Sequence, residues 1–108
     1  MSLKMLENKN FEFIENALKN NKVVLFMKGT QEAPMCGFSA KVVAILNKLG
    51  VEFRDINVFV NPEFREDLKK FSDWPTFPQL YIKGALVGGC DIATELYNNG
   101  ELEKILRE

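Results

Sequence analysis

The sequence predicts an α/β fold in which one mixed four-stranded sheet is flanked by helices. Three observations point there. Helical and strand-like periodicities alternate along the chain in the order α-β-α-β-α-β-β-α-α. The run Val23-Val24-Leu25-Phe26-Met27 is apolar without interruption, as a central strand buried on both faces must be. The last two strand-like segments are joined by Lys83-Gly84, a turn of the kind that closes a β-hairpin.

Phe11, Ile14 and Leu18, with Ala17 beside them, recur at helical spacing and predict an amphipathic helix over 9–20. The apolar strand follows and ends at Lys28-Gly29-Thr30. After a loop to Pro34, Val42, Val43, Ile45, Leu46 and Leu49 mark a second helix, closed by Gly50 as its C-cap. Residues 53–58 read as the second strand. Asn61-Pro62 opens a third helix with a capping side chain and a proline at the first helical position, and Phe64, Leu68 and Phe71 form its buried stripe. Trp74-Pro75-Thr76-Phe77-Pro78 breaks the periodicity before a third strand over 79–82, and the hairpin returns through Leu86-Val87 to Gly88-Gly89. Asp91 then caps a helix carrying Ile92, Leu96 and Tyr97, and Asn99-Gly100 separates it from a final turn or short helix with Leu102, Ile105 and Leu106. A parallel β-α-β unit followed by a hairpin is the thioredoxin-like arrangement.

With 108 residues and 46% hydrophobic content, the chain is long enough for one core and short for two, so residues 1–108 are expected to form a single domain. Fourteen Lys and Arg against 15 Asp and Glu give a formal charge of -1. That balance supplies neither the basic field of a general nucleic-acid binder nor a polybasic membrane anchor, so small anions and proteins are the expected partners. Residues 1–10 lack the apolar stretch of a signal peptide, and no run approaches the roughly 20 apolar residues of a membrane span. The expected location is cytoplasmic: a bacterial cytoplasm, a cytosol, or an organelle matrix after removal of a targeting segment.

Histidine is absent, which removes His-dependent triads, His-built zinc sites and imidazole acid/base catalysis, and leaves cysteine as nucleophile or soft-metal ligand. Cys36 and Cys90 lie half the chain apart and fit neither a metal knuckle nor a CxxC pair. In a reducing compartment both rest as thiols, with a transient bridge open to them if the fold brings them together. Cys36 is the more informative, because Pro34-Met35-Cys36-Gly37-Phe38-Ser39 joins the strand to the next helix. At such a junction, free backbone N–H groups and the positive helix end favour thiolate over thiol. Ser39 stands where a dithiol protein would carry its second cysteine, so thiol chemistry here needs a partner from outside the chain.

Four segments, Met27-Lys28-Gly29-Thr30, Cys36-Gly37-Phe38-Ser39, Trp74-Pro75-Thr76-Phe77-Pro78-Gln79-Leu80 and Gly88-Gly89-Cys90-Asp91, make nearly the whole chain resemble the monothiol glutaredoxins of the CGFS type. It resembles their single-domain form, without the N-terminal thioredoxin domain of larger members. The resemblance implies the glutaredoxin variant of the thioredoxin-like fold, with Cys36 as nucleophile and iron ligand. Lys28 then binds the glycine carboxylate of glutathione and supports the thiolate by its charge. Arg65, on the helix after Asn61-Pro62, reaches the same carboxylate. Thr76-Phe77-Pro78 resembles the family loop in which the proline follows a cis peptide bond, exposing the Phe77 N–H and C=O to an extended, peptide-like ligand. Trp74 reads as packing rather than as a direct ligand. Phe38 either faces the groove or a dimer contact, or merely caps a core.

By the same resemblance, Gly88-Gly89-Cys90-Asp91 receives the γ-glutamyl end of glutathione. Its glycines permit close backbone approach, the next helix start offers N–H groups to a carboxylate, and Asp91 pairs with the amino group, alone or together with an N-cap role. Cys90 is either a small buried hydrophobe or a second thiol able to bridge to Cys36.

A [2Fe-2S] cluster requires four soft ligands, and the chain offers one exposed thiolate. The resemblance therefore implies a cluster carrier in iron-sulfur assembly and iron homeostasis. Cys36 from each of two protomers and the cysteine of each of two glutathiones would hold the cluster in a homodimer, for delivery to acceptor proteins. The apo chain is compatible with a monomer. The alternative is a glutathione-dependent thiol-disulfide oxidoreductase, in which Cys36 attacks a glutathionylated substrate and glutathione resolves the mixed disulfide. The five-residue extension 30–34 and Trp74-Pro75 accompany weak classical reductase activity in the family and favour the carrier. Family association with BolA-like proteins adds a binding role compatible with it.

Overall fold

The computed structural model describes residues 8–108; residues 1–7, which open the polar stretch read above as lacking a signal peptide, lie outside the described residues. The elements are α1 (Lys9–Asn20), β1 (Val23–Met27), α2 (Gly37–Lys48), β2 (Arg54–Asn57), α3 (Pro62–Ser72), β3 (Gln79–Ile82), β4 (Ala85–Gly88), α4 (Cys90–Asn98) and α5 (Glu101–Arg107). Strand order is β2-β1-β3-β4. β1 runs parallel to β2 and antiparallel to β3, and β3 and β4 form the hairpin. This is the thioredoxin-like α/β fold that the sequence predicts.

All five residues of β1 are buried, and their alternation divides the core into two layers. Val23, Leu25 and Met27 pack with Val42, Leu46, Ala93, Leu102 and Leu106 of α2, α4 and α5. Val24 and Phe26 face the other way, onto Ile14 and Ala17 of α1 and Phe64 and Leu68 of α3. Because successive side chains of a strand point to opposite faces, an uninterrupted apolar run was needed to serve both layers. Among the described residues no helix is long and apolar enough to cross a membrane.

Local chemistry sets the boundaries. The Asn61 side chain accepts hydrogen bonds from the Glu63 and Phe64 N–H groups, and Pro62 takes the first helical position, as the sequence predicts. α2 ends in a Schellman motif: the Val51 N–H donates to the Leu46 carbonyl and the Gly50 N–H to that of Asn47. Gly50 lies one residue past the cap, Leu49, at φ 68°. The hairpin turn has positive φ at both Lys83 and Gly84, the type I′ geometry that suits strand twist.

β2 is shorter than the 53–58 read from the sequence. The Asn57 side chain accepts a hydrogen bond from the Phe59 N–H at 2.9 Å, an Asx-turn that competes with strand continuation. Asp91 does not cap α4. Extended Gly89 is the N-cap, so the helix begins at Cys90 and Asp91 falls in its first turn, where its charge still suits the helix dipole.

Gly29 carries the tightest backbone constraint: its φ is 92°, and an added Cβ would lie 2.6 Å from both the Ala33 carbonyl oxygen and the Met35 nitrogen. Gly50 shares the positive φ, but among the described residues nothing lies within 4 Å of its added Cβ. In urea denaturation Gly50→Ala is expected to cost about 1 kcal/mol, and Gly29→Ala distinctly more, roughly 2–4 kcal/mol, because strain and overlap combine. Equal losses would contradict the assignment of close contact at Gly29.

Candidate functional site

Strand register gathers the signature segments at one end of the sheet. Phe26 of β1 pairs with Gln79 at the start of antiparallel β3, while Leu80 pairs with Gly88 at the end of β4. The exit of β1, the Trp74–Pro78 segment, the Gly88–Asp91 segment and the exit of β2 therefore meet, at the carboxyl end of the central strand where α/β sheets bind ligands. They enclose an open groove of about 740 Å³.

Each wall has its own fastening. Behind β1, the 30–34 excursion closes on itself: Gly29 bridges Pro34, the Met35 N–H donates to the Lys28 carbonyl at 2.9 Å, and Thr30 and Ala33 exchange backbone bonds. Asp55 on β2 holds its tip, accepting from the Gln31 N–H and Nε2 at 2.8 and 2.9 Å. The opposite wall rests on Gln79, which is fully buried. Its Nε2 donates to the Trp74 and Thr76 carbonyls at 3.1 and 3.3 Å, and its Oε1 accepts from the Tyr81 hydroxyl at 3.3 Å. Burial keeps that hydroxyl protonated by raising its pKa. Between these fastenings the Phe77-Pro78 peptide is cis, and the Phe77 N–H and C=O take no hydrogen-bond partner among the described residues.

Cys36 is the N-cap residue of α2, partly exposed and without a side-chain cap bond of its own. Its thiol is held below the ordinary value, first by the Ser39 backbone N–H; burial opposes this, while the Phe38 N–H, the Lys28 charge and the Ser39 hydroxyl act with it. Ser39 is wholly buried and its Oγ accepts from the Lys28 N–H at 3.1 Å. The residue at the second-cysteine position is thus a structural tie between strand and helix, out of reach of a disulfide exchange partner. Cys36 does not itself line the groove, but Lys28 and Phe38 on either side of it do.

Lys28, Phe38, Arg65, Phe77, Pro78, Gly89, Cys90 and Asp91, all singled out from the sequence, line the one groove. Phe38 is 63% exposed, which removes the core-capping reading. Cys90 is buried, lies 3.9 Å from the Thr94 hydroxyl and joins the core on the α4 face; both cysteines are free thiols. Among the described residues no cluster of three or more potential metal ligands occurs. Lys28, Arg65 and Lys69 bring positive charge from the β1 and β2 side, and Asp91 brings negative charge from the β4 side. Such a polarised groove suits an extended zwitterion carrying a carboxylate at one end and an ammonium at the other.

Phe59, Lys69 and Trp74 also line the groove, although none of them is assigned to the ligand from the sequence. Phe59 stands in the turn that ends β2, one residue past the 53–58 read as strand. Lys69 lies one turn beyond Arg65 on α3, a spacing that would have found it, and is paired to Glu66 at 3.0 Å. Trp74, read as packing, is half-buried in the groove wall, and its buried Nε1 has no hydrogen-bond partner among the described residues.

The Glutaredoxin family model matches residues 23–87. The Rickettsia felis protein named Probable monothiol glutaredoxin 2 is 92% identical over 103 residues, 95% of this chain and 99% of that one. The solution structure of reduced poplar apo GrxS14 superposes with a TM-score of 0.80 at 48% identity, over 89% of this chain and 88% of that one. A crystal structure of a buckwheat glutaredoxin-glutathione complex gives a TM-score of 0.82 over 99% of this chain and 94% of that one; at 22% identity that likeness shows the fold alone.

The titration of Cys36 checks the site's electrostatics. With Cys90→Ser to remove the second thiol, alkylation by iodoacetamide is expected to reach half its maximal rate at a pH below that of a free cysteine, because a lowered pKa keeps the thiolate populated as pH falls. Lys28→Gln and Ser39→Ala should each move the midpoint upward only part of the way, since the backbone N–H groups of Ser39 and Phe38 remain. A midpoint at or above that of free cysteine in the parent chain would contradict the site described.

Proposed function

The chain belongs to the glutaredoxin family, in its monothiol branch, and from that premise we propose that it is a glutathione-dependent carrier of [2Fe-2S] clusters, built as one glutaredoxin domain over residues 1–108. The observation that carries this reading is the combination at α2 of one partly exposed, acidified thiol and a buried serine in the resolving position. A chain with one available soft ligand cannot complete a four-thiolate site alone. Cys36 from two protomers and the cysteines of two bound glutathiones would complete it. The cluster is then cargo, and because half its ligands are borrowed, competing thiols or an acceptor protein can release it.

The groove supports glutathione as the borrowed ligand. Lys28 and Arg65, with Lys69 beside them, would take the glycyl carboxylate, while the free Phe77 N–H and C=O would pair with the backbone of the extended tripeptide. The start of α4 after Gly89 would receive the γ-glutamyl carboxylate. Asp91 would pair with the ammonium, a role its first-turn position leaves it free to serve, since it does not cap. Phe38, exposed beside Cys36, would face the second protomer. Iron-sulfur acceptor proteins and a BolA-like protein are the expected partners, in a cytoplasmic or matrix compartment reducing enough to keep both thiols free.

A second reading rests on the acidified thiol alone. Cys36 thiolate would attack the glutathione sulfur of a glutathionylated protein, releasing the substrate thiolate and leaving a Cys36-glutathione disulfide. A second glutathione would attack that disulfide, forming glutathione disulfide and restoring Cys36. The buried Ser39 cannot shorten this route, so it depends on free glutathione.

Anaerobic reconstitution with iron and sulfide, followed by visible absorbance, iron content and molecular mass, separates the readings. A coloured dimer with two irons per dimer is expected only when glutathione is present, and Cys36→Ser should abolish it. Incorporation unaffected by that substitution, or independent of glutathione, would refute the carrier. A colourless monomer that turns over glutathione mixed disulfides as fast as dithiol glutaredoxins do would assign the oxidoreductase.

A further inference from the structure

We propose that Phe59 is a positioning residue that holds Lys28 and Arg65 ready for the carboxylate end of the ligand, an inference that rests on the glutathione-binding reading above. The Lys28 Nζ lies 5.8 Å from the Phe59 ring centroid and the Arg65 Cζ 5.9 Å from the same centroid. Both cations are thus within range of one ring's negative face potential. Without it, two positive groups lining the same groove repel each other and move among many rotamers. Resting on a shared ring offsets part of the repulsion and orders both side chains before a ligand arrives, which lowers the entropy lost on binding.

The backbone fixes the ring for this task. Val58 is fully buried, and its N–H donates to the Met27 carbonyl at 2.9 Å, anchoring the residue before Phe59 to the end of β1. The Asn57 Oδ1 accepts from the Phe59 N–H at 2.9 Å and from the Gly29 N–H at 3.1 Å. One carboxamide therefore ties the backbone of Phe59 to the residue next to Lys28. Arg65 is held from the other side by α3, whose cap, Asn61, lies two residues beyond Phe59. The ring itself remains 41% exposed, takes part in no aromatic pair among the described residues and lines the groove. A large aromatic left at the surface between two cations acts as their support rather than as core.

Chemical-shift titrations with glutathione and with glutathione amide, whose glycyl carboxylate is a neutral carboxamide, test the inference. Phe59→Leu keeps apolar bulk and removes the aromatic face; it is expected to weaken glutathione binding about three- to tenfold while changing amide binding less than about twofold. Phe59→Tyr, which keeps the face, should bind both like the parent. Thermal unfolding monitors each variant, and Phe59→Met serves the same comparison if the leucine variant does not fold. No loss on removing the ring, or equal losses for both ligands, would overturn the role assigned to Phe59 and leave glutathione binding standing. Parent protein that binds both ligands equally well would also overturn it, since the cations would not be reading the carboxylate. A parent that binds neither would refute the glutathione reading and this inference with it.

Discussion

The hydrogen bond from the Lys28 N–H to the Ser39 hydroxyl joins the last turn of backbone after β1 to the first turn of α2. Everything the site does with sulfur depends on that junction. It places Cys36 at the helix N-cap, where the N–H groups of Phe38 and Ser39 face the thiol, and it keeps Lys28 within electrostatic reach. Because Ser39 is completely buried, loss of its hydroxyl would leave the Lys28 N–H without its acceptor, a loss of roughly 1–3 kcal/mol. One small side chain therefore fixes a strand-to-helix angle, contributes to thiolate stability and closes the position from which a second thiol could act.

The facing wall depends on Gln79 in the same way. A buried amide costs free energy unless its polar atoms are paired, and here its donors and acceptor are satisfied by Trp74, Thr76 and Tyr81. Register sets Gln79 opposite Phe26, so the segment it holds stands beside the exit of β1. The two walls are thus clamped to the central pair of strands, and the groove is a product of sheet register as much as of loop sequence. Cations from the β1 and β2 side and a carboxylate from the β4 side then give it a direction.

Much of this was legible in the sequence because the signals were local. The apolar run of β1, the Asn61-Pro62 helix start and the Lys83-Gly84 turn each state their conformation within a few residues, whereas the cis peptide before Pro78 was legible only through the resemblance to the glutaredoxin loop. Periodicity could not show where β2 stops, because residues 53–58 alternate well enough for a longer strand, and only the Asn57 side chain turning back on the Phe59 N–H ends it. The same turn hid Phe59 from the list of groove residues. An acidic residue before an apolar helix satisfies the usual rule for a cap, which is why Asp91 reads as one; Gly89 takes the cap instead and the helix starts at Cys90, two residues earlier than a cap at Asp91 would place it. The burial of Ser39 and the three bonds of Gln79 are tertiary facts, visible only once β1, α2 and β3 are brought together.

Mass measurement of the intact, anaerobically loaded species by native mass spectrometry bears most directly on the borrowed-ligand site. A cluster held by Cys36 of two protomers and two glutathiones has the mass of two chains, two glutathiones and one [2Fe-2S] unit, and gentle activation should release glutathione and cluster together. A cluster-bearing single chain, or a loaded dimer with no glutathione mass, would contradict it.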